Sequence, residues 1–414
     1  MDRKRKIIAA LADLKQEIAG VIPVDLISLW QKSLRNAAAE RSILRLHEKV
    51  GFMVNTDSAG LSKLTAQKSL LEVMRIVSQP KEIIYGIGRQ IGGRGIGVWA
   101  ADNTQMFYQD IGIDELLEAM IAAQKQVSLG PLKVGMGIHH GVYWEIGQGM
   151  FGVDAELIDE VAEEHTAGGE IVLSDKCFDD SSLQKWQTSL FKRGDLDEHF
   201  QKDFWSFNYE KFSGKEFEVD LNAEDLIYPL PFDRKFYQAL RQMEKSADAR
   251  NVLEEFFANK VVVLVKIYHN KANFLLDQLT DWVVMNAFTA EIAERYAVET
   301  IKSNGDLGIF VADSDSEAVQ FAEDVLLSMV RSEDRVSIGL ARGDILLFNL
   351  EGGGKDLAGG AVNIASKISE DVPGHNTLYV EESVQIPEVQ RNKFEAFAMD
   401  KSGVVIRGNK YNVL

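Results

Sequence analysis

The chain has 414 residues, 46% hydrophobic and 26% charged, a balance that belongs to globular domains rather than to fibrous or disordered chains. Its 63 acidic against 45 basic side chains leave a formal charge of −18, which repels nucleic acid and anionic lipid as general partners. A single cysteine, Cys177, excludes an intrachain disulfide, and no apolar run reaches the roughly 18–20 residues of a membrane helix, so the chain reads as cytoplasmic.

In chain order, the basic start Arg3-Lys4-Arg5-Lys6 precedes Ile7, Ile8, Leu11, Leu14 and Ile18. Asp13, Lys15, Gln16 and Glu17 interrupt these at helical spacing, so the segment reads as an amphipathic helix rather than a leader peptide. A helical stretch up to His47 leads into the apolar strand Val50-Gly51-Phe52-Met53-Val54. A hairpin over 85–101, a helix over 113–126, a strand over 133–138 and a helix over 151–164 follow, then a short strand over 170–174 and strand-like text over 204–219. Gly86, Gly88, Gly92, Gly93 and Gly95 fit neither dinucleotide nor P-loop spacing and read as hairpin glycines. His139 and His140 alternate across their strand, which assigns them structural roles rather than a shared metal. The aromatic run from Phe200 through Phe204, Trp205, Phe207, Tyr209 and Phe212 reads as sheet core or domain interface.

The prolines of Tyr228-Pro229-Leu230-Pro231 punctuate a boundary, after which the same text returns about 210 positions on. A helical run over 232–257 leads into Val261-Val262-Val263-Leu264-Val265, and a hairpin over 296–312 matches the one over 85–101. Both hairpins close with an aromatic and then an Asp: Trp99 with Asp102, and Phe310 with Asp313. A helix over 316–330, a strand over 335–340, a helix over 359–370 and strands over 377–381 and 404–413 complete the second copy. Strand, helix, two strands, helix, strand is the order of a ferredoxin-like α+β sandwich, here written twice. The expected organisation is an N-terminal helical segment over 1–48, a first domain over 49–221, a linker with a helix over 222–259 and a second domain over 260–414.

The second copy carries Lys355-Asp356-Leu357-Ala358-Gly359-Gly360-Ala361-Val362-Asn363-Ile364-Ala365-Ser366-Lys367. An Asp seven residues before an Asn, with a basic residue four further on, resembles the class III adenylyl and guanylyl cyclase motif. The strand 336–344, ending in Gly343-Asp344, and the stretch from Met53 through Asp57 to Gly60 look like two further strands of that family. The resemblance covers most of 50–175 and 260–385. It implies two ferredoxin-like class III cyclase domains in tandem, paired pseudosymmetrically within the chain, with each active site made from both domains. One domain then supplies two Asp ligands for two metal ions, magnesium or manganese. The other supplies a Lys and an Asp that read the purine of ATP, with an Asn and an Arg that steady the reaction. Divalent ions held by carboxylates activate the attacking hydroxyl and neutralise phosphate charge.

On that resemblance Asp57 takes the first metal position, and an ungapped reading puts Gly93 at the second, where no carboxylate stands. Asp356 takes the place of the purine-reading acid and favours adenine; Asn363 takes the place of the catalytic Asn. Lys367 replaces the Arg and lacks its planar fork. The purine Lys has two readings: aligning Gly305-Asp306 with the family's Gly-Asp selects Lys302, whereas an ungapped match of the two copies selects Thr300. In the reciprocal site Lys266 falls at the first metal position, and Gly149, Glu156 and Glu160 fall where the purine acid, Asn and Arg belong. These departures imply a degenerate cyclase homologue, a pseudoenzyme that binds a nucleotide or a regulatory protein partner. A weak adenylyl cyclase and a scaffold without a small ligand are the alternatives.

Overall fold

The computed structural model describes residues 22–61, 68–97, 103–147, 149–212, 215–219, 233–244, 246–268, 273–332, 334–350, 354–372, 374–401 and 404–413. The segment over 3–18, Trp99, Asp102 and the boundary over 228–231 lie outside them. The chain divides into two compact units, one drawn from Leu44–Pro231 and the other from Met1–Ile43 with Phe232–Leu414.

Helix α1 (Val24–Lys32) and helix α2 (Ala37–Leu44) lead into the first repeat. That repeat runs β1 (Glu48–Ala59), α3 (Leu70–Gln90), β2 (Arg94–Gly95), β3 (Thr104–Tyr108), α4 (Ile113–Val127), β4 (Lys133–Ile146), β5 (Gly149–Phe151), α5 (Val153–Glu164) and β6 (Ile171–Ser174). It closes with α6 (Asp180–Trp186), β7 (Leu190–Lys192), α7 (Gly194–Phe200) and β8 (Phe204–Phe207). Its strands lie in the order β2-β3-β1-β4-β6-β8-β7, with β5 on β4. Helices α8 (Arg234–Gln242) and α9 (Ala247–Glu254) precede the second repeat. That repeat runs β9 (Phe257–Tyr268), α10 (Leu275–Arg295), β10 (Glu299–Asn304), β11 (Leu307–Ala312), α11 (Asp315–Arg331), β12 (Arg335–Asn349), β13 (Lys355–Gly359), α12 (Gly360–Glu370), β14 (Thr377–Glu381), β15 (Glu395–Lys401) and β16 (Val404–Asn412). Its order, β10-β11-β9-β12-β14-β16-β15 with β13 on β12, repeats the first sheet strand for strand. In each sheet one neighbouring pair is parallel, β4 with β6 and β12 with β14. The expected α+β sandwich, present twice, is therefore the fold.

The expected hairpin over 85–101 is corrected. Residues 85–90 end helix α3, which Ser69 and Glu72 start with a reciprocal capping box. Of the glycines that suggested a turn, Gly92 is in one, at φ +83°, whereas Gly88 serves packing: a Cβ there would meet Tyr108 Oη at 2.5 Å and Met106 Cε at 2.7 Å. The second strand of the hairpin is accordingly β3, well beyond Trp99. The strand-like text over 204–219 is strand only over Phe204–Phe207, where Phe207, Phe212 and Trp186 pack as a ring cluster at the sheet edge.

In the second repeat Val261, Val263, Val265 and Ile267 of β9 face α10 and α11 through Phe288, Ile292, Phe321 and Val325. Val262 and Leu264 face the other side, with Ala361 and Ala365 of α12. The sheet is thus buried on both faces over β9, which explains an apolar run without alternation. Helix α1 docks on the start of α10: fully buried Trp30 donates from Nε1 to Asp277 Oδ1 at 2.8 Å and meets Phe274 edge to face. Phe274 offers α10 no side-chain cap, and Glu40 Oε1 accepts from the Leu276 amide at 3.0 Å in its place.

Helix α12 comes close to β12 because Gly339 has no side chain; a Cβ there would meet the Ala365 carbonyl oxygen at 2.2 Å and Ile368 Cγ1 at 2.8 Å. Gly137 holds the matching place against Ile158 of α5. Gly339→Ala therefore forces α12 outward and costs ~1–3 kcal/mol of stability, the usual range for overpacking. Urea midpoints of the wild type and variant measure it, and an unchanged midpoint refutes the close-approach role.

Candidate functional site

The residues singled out in the second repeat lie on β10, β13 and α12. The pairing of β10 with β11 shifts register between Thr300 and Lys302. This bulge tucks Ile301 into the core beside Ile309 and Leu357, and it turns Lys302 toward β13. Lys302 Nζ donates to Asp356 Oδ2 at 2.9 Å, while Asp356 Oδ1 accepts from the Leu357 amide at 2.8 Å. The carboxylate is thus fixed in orientation, with a side chain only 6% exposed against 28% for Lys302. Of the two alternatives read from sequence, Lys302 is the one that meets Asp356.

Asn363 and Lys367 stand on α12 four residues apart, which puts them on one face of the helix. Ala361, Ala365 and Ile368 bury the opposite face, and both polar residues are half-buried on the flank. Neither side chain has a hydrogen-bond or ion-pair partner among the described residues. The structure gives no side-chain contact joining them to the Lys302–Asp356 pair.

Lys266 stands in this repeat at the register place that Asp57 holds in the first. Its Nζ lies 3.0 Å from Asp306 Oδ2 and 4.0 Å from Glu370 Oε1. Burial works against its charge, yet these carboxylates hold its pKa above the ordinary value. The ammonium thus lies between two carboxylates.

In the first repeat β1 pairs with β4 so that Asp57 lies opposite Gly135, as Lys266 lies opposite Ser337. Asp57 is half-buried near the end of β1. Strand alternation puts it on the face of Asn55, toward α5. Gly93 follows the end of α3, its amide bonds the Gly88 carbonyl at 2.9 Å, and a Cβ would meet Tyr108 Cε1 at 2.2 Å. In the second repeat Asp306 immediately precedes β11. Counting back from β3 in the register that β11 shares on β9 arrives at Asp102, which lies outside the described residues.

Helix α5, the counterpart of α12, carries Glu156, Asp159, Glu160 and Glu163. Sequence reasoning missed Asp159, although acids spaced three and four apart on a helix against a strand were its signal. Asn55 donates from Nδ2 to Asp159 Oδ1, and Gln105 Nε2 donates to the same oxygen at 2.8 Å. Burial, with Glu163 and Glu156 adding like charge, pushes the Asp159 carboxyl up to about 7, against these two hydrogen bonds. His139, further along the sheet, is fully buried, with Nδ1 2.6 Å from Ser174 Oγ and Nε2 3.2 Å from Asp154 Oδ1. Ser174 is fully buried as well, so this chain of groups knits strand to helix and offers no nucleophile.

Two predictions follow from these charges. Lys266→Asp exchanges the ammonium for a carboxylate facing Asp306 and Glu370; the variant melts below the wild type in chelator, and added Mn²⁺ raises its midpoint more than that of the wild type. A variant indifferent to Mn²⁺ would show that the position does not accept a cation. For Asp159, the folded state keeps a proton between 3.8 and about 7 that the unfolded chain releases, so stability falls as pH rises through that window. Asp159→Asn removes the dependence: its urea midpoint gains on the wild type between about pH 5 and about pH 7. A constant difference would refute the buried acid.

No protein-family model matches the chain, and no curated protein matches it. Among solved structures it is similar to a class III adenylyl cyclase-like ATP-binding protein from Pseudomonas aeruginosa, with 11% identity, TM-score 0.49, and coverage of 81% of this chain and 84% of that one. It is also similar to an adenylate cyclase from Trypanosoma brucei in its monomeric state, with 16% identity, TM-score 0.32, and coverage of 37% and 87%. A third similar structure is the adenylyl cyclase CyaB from P. aeruginosa, with 14% identity, TM-score 0.31, and coverage of 42% and 97%.

Proposed function

We propose that the second repeat binds an adenine nucleotide, and that the chain is a degenerate class III cyclase homologue in which this binding serves regulation. The observation that supports the reading is the Lys302–Asp356 pair, held at 2.9 Å with Asp356 buried and oriented by its own strand. A carboxylate accepts from the exocyclic amine of adenine and repels the oxygen that guanine carries at that place, while an ammonium donates to the neighbouring ring nitrogen. Asn363 and Lys367, uncommitted and on one face of α12, offer an amide donor and a cation to phosphate oxygens. Lys367 supplies charge without the bidentate grip of a guanidinium, which favours binding over transition-state stabilisation.

A second reading is a weak adenylyl cyclase that uses magnesium or manganese to make cyclic AMP from ATP. It is favoured by the half-buried carboxylate of Asp57. In that reading Asp57 would help hold the metal ions, which would activate the attacking hydroxyl and neutralise phosphate charge.

Thermal melts of the purified chain with ATP and with GTP test the proposal. ATP raises the midpoint by several degrees at saturating concentration, since ligand that binds only the folded state stabilises it by mass action. GTP raises it less, and Lys302→Ala or Asp356→Asn removes most of the ATP effect. No ATP-dependent shift, or an equal shift in Asp356→Asn, refutes the site. An assay for cyclic AMP with Mn²⁺ decides the second reading: product that vanishes in Asn363→Ala establishes turnover, and no product above that variant excludes it.

A further inference from the structure

Helix α5 ends at Glu164, and His165 follows as its C-cap, with its amide bonded to the Val161 carbonyl at 3.2 Å. Helix α7 brings His199 against the same end. Glu160 Oε1 lies 2.7 Å from His199 Nε2 and 3.9 Å from His165 Nε2, and one ligand atom from each of the three residues lies within 4.8 Å of the others. The rings of His165 and His199 tilt at 51° with centroids 5.2 Å apart, and each packs edge-on against Phe200.

We propose that Glu160, His165 and His199 hold a divalent first-row transition metal ion, zinc foremost, with a remaining coordination position open to solvent. Two imidazoles and one carboxylate are the donor set of three-residue zinc sites, and such mixed nitrogen and oxygen donors suit zinc better than magnesium. Ligands ~2.0–2.1 Å from a tetrahedral ion stand ~3.3 Å apart. The separations of 2.7 and 3.9 Å straddle that value, so rotation of half-exposed side chains closes the shell without moving the backbone.

An ion pair between Glu160 and His199 explains one contact and leaves His165 unexplained. His165 Nε2 is buried from solvent and has no hydrogen-bond partner. A ring nitrogen so placed loses water and gains nothing, unless a ligand fills the space in front of it. The C-terminal carbonyls of α5 point toward this end of the helix, where no basic residue stands in the last turn and Arg193 Nη2 donates to the His165 carbonyl at 3.2 Å. Glu160 also occupies the helix position that Lys367 holds in α12, so a cation-bearing place in one repeat has become a cation-binding place in the other.

The test uses the full chain, free of any histidine tag, stripped with chelator and titrated calorimetrically with ZnCl₂. One ion binds per chain with micromolar affinity or better, and excess Mg²⁺ does not compete. Cobalt(II) in place of zinc gives the intense visible absorption of a four-coordinate ion, which an adventitious surface ion does not. His165→Ala, His199→Ala and Glu160→Gln each weaken zinc at least tenfold, as loss of even an outer-shell partner does. All three residues are partly exposed, so circular dichroism of the variants stays that of the wild type. Absence of stoichiometric binding, or unchanged affinity in His165→Ala/His199→Ala, overturns the proposal.

Discussion

Each sheet is organised around one long antiparallel pair, β1 with β4 and β9 with β12, and around the helix that presses on it. The helix comes close to the strand where glycine leaves room, as at Gly137 and Gly141 under α5 and at Gly339 under α12. Close approach fixes the helix axis, and the axis fixes which of its residues stand at the flank and which enter the core. The pair also sets a shared register, in which Asp57 and Lys266 fall at one structural place. The differences between the repeats are then differences of side chain on a common frame, and charge decides what each can hold.

The charges diverge in a consistent way. Asp306, just before β11, and Glu370 of α12 close around the Lys266 ammonium on β9, so that place carries its own cation. On α5 the corresponding flank is acidic throughout, and burial, with like charge from Glu163 and Glu156, raises the Asp159 carboxyl to about 7. A carboxylate cluster lowers its electrostatic energy by taking up a proton, a metal ion or a basic partner. Asp159 takes the first course beneath the amides of Asn55 and Gln105, and the end of the same helix is arranged for the second.

The strands β1, β4, β9 and β12 were legible because their apolar runs, their following glycines and their repetition agreed with one another. The α3 region was not: Gly86, Gly88, Gly92, Gly93 and Gly95 carry turn chemistry in sequence, and only the fold reveals that Gly88 and Gly93 make room for Tyr108. That single misreading moved the expected hairpin. Asp356, Asn363 and Lys367 were legible as a spaced motif on one strand and helix. Lys302 was ambiguous because a bulge is one extra residue, and one extra residue is invisible without the partner strand. The Trp30–Asp277 bond and the approach of His199 to His165 join distant segments and leave no local periodicity to read.

The Lys302–Asp356 pair has a consequence for affinity as well as identity. Before any base arrives, each partner already satisfies the other, with Asp356 almost wholly removed from water. On the proposed reading a purine adds to a formed ion pair, using a remaining lone pair of Asp356 and a remaining N–H of Lys302, and the net gain per contact is small. What the arrangement provides is discrimination. A base with the wrong edge breaks the pair and leaves a buried carboxylate facing an acceptor, a penalty larger than the gain from a correct contact. On the proposed reading, modest affinity with firm selection between adenine and guanine suits a sensor of nucleotide state, whereas a catalyst gains rate only from contacts strengthened in the transition state.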